Sequence, residues 1–182
     1  MDHRLIREVQ ERLGSFSKKA PNVLASSINR TVTNISSNVT KEVRKDYNVK
    51  AGEIKATLSK TKASRSSLSG IVKSRGELIP LDRFKVSPRS VQPKRKKPIK
   101  IAVKKGSMKD AIGAFVAEIN GTKVFKRETK KRLPIKRLFG PSIPQMIGNQ
   151  TRIENINREG YEMFNRRLDH EINRILSRGS SS

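Results

Sequence analysis

Apolar residues recur at helical spacing near both ends of the chain and at strand spacing between them. Leu5, Ile6, Val9 and Leu13 predict a short first helix, which Gly14 and Ser15 close. From Pro21, at a position where a first-turn proline is tolerated, Leu24, Ile28, Val32, Ile35, Val39 and Val43 step by three or four. They predict one long amphipathic helix. Ser, Thr, Asn and β-branched residues between Ser26 and Thr40 are mediocre helix formers, so tertiary packing has to hold it. Asp46 to Leu58 reads as a turn and a short helix, with Asn48 as its cap and Ile54 and Leu58 facing inward. The corner resembles a helix-turn-helix, yet Arg44 stands where that motif's first helix wants a small residue. Asn48 stands where its turn wants glycine, and a plain helical corner is the better reading.

The period then changes. Leu68 to Lys73, Glu77 to Phe84 and Ile99 to Val103 are short and β-branched, the last alternating strictly. Phe115, Ala117 and Ile119 alternate into Asn120-Gly121, and Val124-Phe125 follow, a strong hairpin signal. These runs predict an antiparallel sheet of about four strands. Arg89 to Pro98, holding Lys94-Arg95-Lys96-Lys97 between prolines, reads as a mobile basic loop at its edge. Ile153, Ile156, Met163, Phe164, Leu168, Ile172 and Ile175 predict a second long helix from about Gln150 to Ser177, ended by Gly179 and the terminal serines. Gly160 lies on its apolar stripe, where it admits close approach of another helix or acts as a weak point.

The expected fold class is α+β: a small antiparallel sheet packed with two long amphipathic helices, all one structural domain. Its parts are 1–58 helical, 59–130 sheet with the basic loop 89–98, 131–148 proline-rich, 149–178 the last helix, and 179–182 a flexible tail.

The proline-rich part contains K-R-L-P-I-K-R-L-F-G-P-S-I-P from Lys131 to Pro144. Pro134, Pro141 and Pro144 fix φ and remove backbone donors, so neither a helix nor a central strand runs through it. Leu133, Ile135, Leu138, Phe139 and Ile143 nonetheless need burial. A rigid apolar segment of this kind suits docking, against the chain's own body or a neighbour's. The candidate docking residues are Leu133, Pro134, Ile135, Leu138, Phe139, Gly140, Pro141 and Ile143; an ordered loop tying sheet to helix is the plain alternative.

Charge changes the picture most. Lys and Arg number 41 against 16 acids, formally +25 with a pI near 11.1. That balance points to a polyanionic partner, nucleic acid by default, with an acidic protein surface or solubility as alternatives. Candidate contacts to DNA or an acidic partner are Lys94, Arg95, Lys96 and Lys97 on the loop, and Lys130, Lys131 and Arg132 leading into the proline-rich part. Aromatics make up 4% and Trp is absent, so the core is expected to be thin and self-association to bury what one copy cannot.

Cysteine is absent, which excludes disulfides, thiolate metal sites and a cysteine nucleophile. The first residues, Met1-Asp2-His3-Arg4, precede no apolar run and do not read as a signal peptide. No stretch approaches the ~20 apolar residues of a membrane span, so no membrane partner is expected. Five Asn-x-Ser/Thr triplets, from Asn29, Asn34, Asn38, Asn120 and Asn149, are expected to stay bare. His3 sits near the terminus, and His170, between Asp169 and Glu171, is expected on a helix surface rather than at a metal. No phosphate-cradling glycine loop and no spaced carboxylate pair occurs. The expectation is a non-enzyme without cofactor or metal.

Several short runs, in order, resemble the tailed-bacteriophage family called prophage minor tail protein Z. They are Ala25 to Thr31 (A-S-S-I-N-R-T), Lys62-Ala63, Ile79-Pro80-Leu81 with Phe84, and Ala114-Phe115-Val116. Val124-Phe125-Lys126-Arg127, Arg132-Leu133-Pro134-Ile135 and Gly140-Pro141-Ser142-Ile143-Pro144 complete the set. The chain departs from the pattern in a more basic stretch at Lys94 to Lys97 and in Glu128-Thr129, which replaces a glycine-containing turn. The resemblance implies a structural virion protein that completes the tail at its head-proximal end. It implies a ring, six copies by the symmetry of phage tails, between the tail tube or terminator and the head–tail connector, where packaged DNA or an acidic neighbouring ring is the available polyanion. Assembly would take place in the host cytoplasm. Charge alone would favour a small nucleic-acid binder of ribosomal or nucleoid type, which the scarcity of stacking aromatics weakens.

Overall fold

The computed structural model describes residues 3–179 and follows the expected α+β order, helices at both ends and short antiparallel strands between. The helices of the first third are α1 (His3–Leu13), α2 (Ala20–Asp46) and α3 (Ala51–Ala56). The strands that follow are β1 (Leu58–Thr61), β2 (Ile71–Ser74), β3 (Leu78–Pro80), β4 (Lys85–Ser87) and β5 (Ile99–Ala102). Next come β6 (Lys109–Ala111), β7 (Ala114–Glu118), β8 (Thr122–Arg127), β9 (Ile135–Arg137) and β10 (Phe139–Ser142). The chain closes with α4 (Ile143–Ile147) and α5 (Gln150–Gly179). Residues group into two compact units: Met1–Val39, Leu58–Ser74 and Gln150–Ser182 form one, Thr40–Thr57 and Arg75–Asn149 the other.

In the first unit the apolar stripes meet as their spacing requires. Val9 and Leu13 of α1, Ala20, Val23 and Leu24 of α2, and Leu168 and Ile172 of α5 form one buried cluster. Phe16, Leu68 and Phe164 flank it. Gly14 takes a positive φ and turns α1 into a short 3-10 segment, Gly14–Lys19, as its place after the last apolar residue suggested. The polar residues of α2 are absorbed locally. Thr31, Thr33 and Ser37 donate to the carbonyls of Ser27, Asn29 and Thr33, each one turn back. Asn29 reaches further, donating to the Ala63 carbonyl at 3.0 Å and accepting from the Ala63 amide at 2.8 Å. Gly160 does mark a close helix approach: a Cβ there would lie 3.1 Å from Ile35 of α2. His170 is exposed, while its neighbour Glu171 is buried between Arg167 and Arg174.

The second unit holds most of the strands, and here two expectations need correction. One sheet of about four strands was expected. The strands instead form two three-stranded sheets, β4-β5-β6 and β7-β8-β9, and a two-stranded pair, β3 with β10, all antiparallel. β1 and β2 pair separately, in the first unit. Proline is the physical reason: β3 ends at Pro80, β4 before Pro88, and β5 and β9 begin after Pro98 and Pro134, because proline cannot donate to a ladder. Asn48 is the second correction. It does not cap α3, whose N-cap position is Lys50; its side chain donates to the carbonyls of Ala102 and Lys104. Ile54 is fully buried as expected, and Leu58, half-buried, opens β1.

The core of this unit is Ile99, Ile101, Val116 and Val124, with Leu81, Val86 and Leu138 around them. The Asn120-Gly121 hairpin forms as read, joining β7 to β8 with both residues at positive φ. Packing decides which of its faces is buried. Val116 and Val124 point into the core, whereas Phe115 and Ala117 are half-buried on the other side and Ile119 is 45% exposed.

Candidate docking groove

The face of β7 and β8 turned away from the core carries an aromatic pair. Phe115 and Phe125 lie directly opposite across the strands, ring centroids 6.3 Å apart. Arg127, two residues on and on the same face, stacks its guanidinium 5.2 Å from the Phe115 ring. Its side chain also donates to the carbonyl of Arg132, and the Glu128 amide donates to the carbonyl of Pro134 at 3.2 Å. These bonds draw the start of the proline-rich part back against β8, and β9 then pairs with β8 as an edge strand, Ile135 opposite Arg127. The Ser87–Pro88 and Leu133–Pro134 peptide bonds are cis.

Opposite this face lies the loop between β4 and β5. Arg95 ties this basic loop to itself. The Arg95 side chain donates to the carbonyls of Lys97 and Pro98 at 2.9 and 3.0 Å and to the Gln92 side chain at 3.2 Å. Loop and sheet enclose an open groove of about 750 Å3. Its apolar lining includes Val91, Phe115, Ala117, Ile119, Leu133 and Ile135; its cations are Arg95, Lys97, Arg127 and Arg132. No carboxylate lines it among the described residues.

The groove thus gathers parts of both candidate sets. Arg95, Lys97 and Arg132 come from the cationic set, and Leu133 and Ile135 from the docking set. Lys94, Lys96, Lys130 and Lys131 are exposed but not part of the lining. The remaining docking residues go elsewhere. Ile143 is fully buried, and Leu138 packs on the core with its amide donating to the Val124 carbonyl at 3.0 Å. Gly140 presses so close to Phe84 that a Cβ would meet the ring at 2.9 Å. Pro141 lines a smaller cavity of about 400 Å3 with Tyr47, Leu81 and Ile101. Phe139 stays 47% exposed and Leu133 65% exposed, with Pro134 also open to solvent.

Sequence reasoning missed three contributors. Arg127 and Phe115 stood inside the family-like runs without a role, and their register across the hairpin was the available signal. Arg137 was also overlooked. It grips Asp82 through both carboxylate oxygens at 2.9–3.2 Å, fixing β9 to the short 3-10 turn after β3. Among the described residues no cluster of His, Cys, Asp and Glu could hold a metal ion, and no helix is long and apolar enough to cross a membrane.

No curated protein and no solved structure matches the chain. The family model described as prophage minor tail protein Z matches residues 6–179, a span that includes every described strand, the groove, α1 from Ile6 onward and all of α5. The chain therefore belongs to the prophage minor tail protein Z family.

Proposed function

We propose that this minor tail protein completes the tail at its head-proximal end, as a ring of six copies between the tail tube or terminator and the head–tail connector. Its family makes it a phage tail component that works against other tail components, and sets aside the ribosomal or nucleoid-type reading. The observation that carries the finer reading is the charge of the whole chain taken with the apolar side chains left exposed in the second unit. A formal charge of +25 and apolar side chains left open at Leu133 and Phe139 suit a protein whose partners supply both negative charge and apolar cover. Heterologous contacts close into rings when the rotation permits, and a sixfold tail offers that rotation. In this reading the role is structural rather than enzymatic, without cofactor, and Lys94, Lys96, Lys130 and Lys131, all exposed, would meet packaged DNA or an acidic neighbouring ring. Electron-microscopic reconstruction of intact particles tests this: six copies at the head-proximal end are expected. One copy per tail, or density at the distal end, would refute it.

A further inference from the structure

The groove between the β4–β5 loop and the outer face of β7 and β8 combines two properties that seldom share a surface without a partner. Val91, Ile119 and Leu133 are 41%, 45% and 65% exposed around it, and Lys97, Arg127 and Arg132 stand among them with no carboxylate in the lining. Arg95 makes three hydrogen bonds within its own loop and so shapes the wall. Arg127 uses one donor on the Arg132 carbonyl, and a guanidinium has five.

We propose that this groove binds an extended acidic segment of another tail protein, carboxylates on Lys97, Arg127 and Arg132, apolar side chains against Phe115, Ala117 and Leu133. The inference rests on the tail-protein reading above and names the partner's chemistry. Charge complementarity fixes the sign of the occupant, and the exposed apolar lining selects protein over nucleic acid. A duplex backbone needs only reachable cations and would leave Leu133 and Ile119 uncovered. A single strand needs several aromatic rings on which successive bases stack, and among the described residues Phe115 is the one aromatic side chain in the lining.

The test uses the full chain and two short labelled peptides, one alternating Glu with Leu and Phe, one alternating Glu with Ser, together with a short DNA duplex. The wild type should bind the Glu/Leu/Phe peptide at least about tenfold more tightly than the Glu/Ser peptide. Leu133→Ser should erase that preference and leave Glu/Ser binding unchanged. Lys97→Glu with Arg132→Glu should weaken both peptides by about tenfold or more. Lys60→Glu, an exposed β1 position in the other unit, should alter neither. All these side chains are exposed, so thermal melts should match the parent and exclude misfolding.

Equal binding of the two peptides, duplex binding that Leu133→Ser abolishes, absence of peptide binding, or variants that bind like the wild type would each overturn the proposal. Self-association that depends on Leu133 would overturn it in favour of a second copy as occupant. Particle reconstruction separates this from the ring reading. Peptide binding with no ring would sink the ring alone, and a ring with an inert groove would sink the groove alone.

Discussion

Asn29 shows how one side chain ties distant parts of the chain. Its amide satisfies both the carbonyl and the amide of Ala63, 34 residues away, as a neighbouring strand would. Ala63 is buried, so truncation leaves a donor and an acceptor without partners. Asn29→Ala should cost about 1–3 kcal/mol. In a chain of this size that appears as a melting temperature several degrees lower. Asn29→Asp keeps the acceptor but sets a carboxylate oxygen against the Ala63 carbonyl, and should destabilise at least as much as the Ala variant. A melting curve for Asn29→Ala that overlays the parent's would show this pair of hydrogen bonds to be energetically idle. Nothing in a run of Ser, Asn and Thr separates this residue from those that merely back-bond along α2.

At the scale of elements, the stretch from β9 through β10 to α4 divides its apolar residues between two tasks. Ser142 starts α4 with a capping box, its hydroxyl accepting from the Gln145 amide while the Gln145 side chain accepts from the Ser142 amide. That cap drives Ile143 and Met146 into full burial. Ile143→Ala should therefore lose about 2–5 kcal/mol of stability, as for buried aliphatic truncations generally. Phe139 was expected to need burial and lies half exposed, 5.8 Å from the Arg137 guanidinium. Phe139→Ala should melt close to the parent yet reduce incorporation into tails, which complementation of a phage lacking the protein would measure. A large loss of thermal stability in the Phe139 variant would instead give that ring a folding role.

For the whole molecule, the 41 cations against 16 acids leave most positive charge without an opposite number. Among the described residues, ion pairs such as Arg12 with Asp169 at 2.6 Å and Arg137 with Asp82 fix one element to another. Four loop lysines, Lys94, Lys96, Lys130 and Lys131, remain on the surface outside the groove. If they meet DNA phosphates, replacing all four with serine flattens the log–log salt dependence of duplex binding, by up to about 0.9 for each phosphate no longer neutralised. The fold should be untouched, because all four are exposed. An unchanged slope would rule these lysines out as partners of DNA and leave an acidic ring in that role.

Local physics was legible in the sequence by itself. Helical periodicity gave α1, α2 and α5 close to their observed ends, Asn-Gly gave the β7–β8 hairpin, and the prolines marked where ladders stop. Each of these signals acts within a few residues, so one chain carries it in full. Ordered short runs also pointed to the family. What the tertiary structure decided was which face and which partner. Alternation through β7 fitted either side, and packing against Ile99 and Ile101 chose Val116 for the core and left Phe115 to the groove. Gly70 carried no reading of its own within the strand-like run Leu68 to Lys73. In the fold a Cβ there would stand 2.5 Å from Val32 and 2.6 Å from Ile28, a constraint made by a helix some forty residues earlier. The groove has the same origin. Its cations and apolar residues come from segments around residues 91–97, 115–119 and 127–135, and only strand register and the bracing of the loop by Arg95 bring them to one place. Periodicity records that a side chain is buried; what it is buried against depends on long-range pairing.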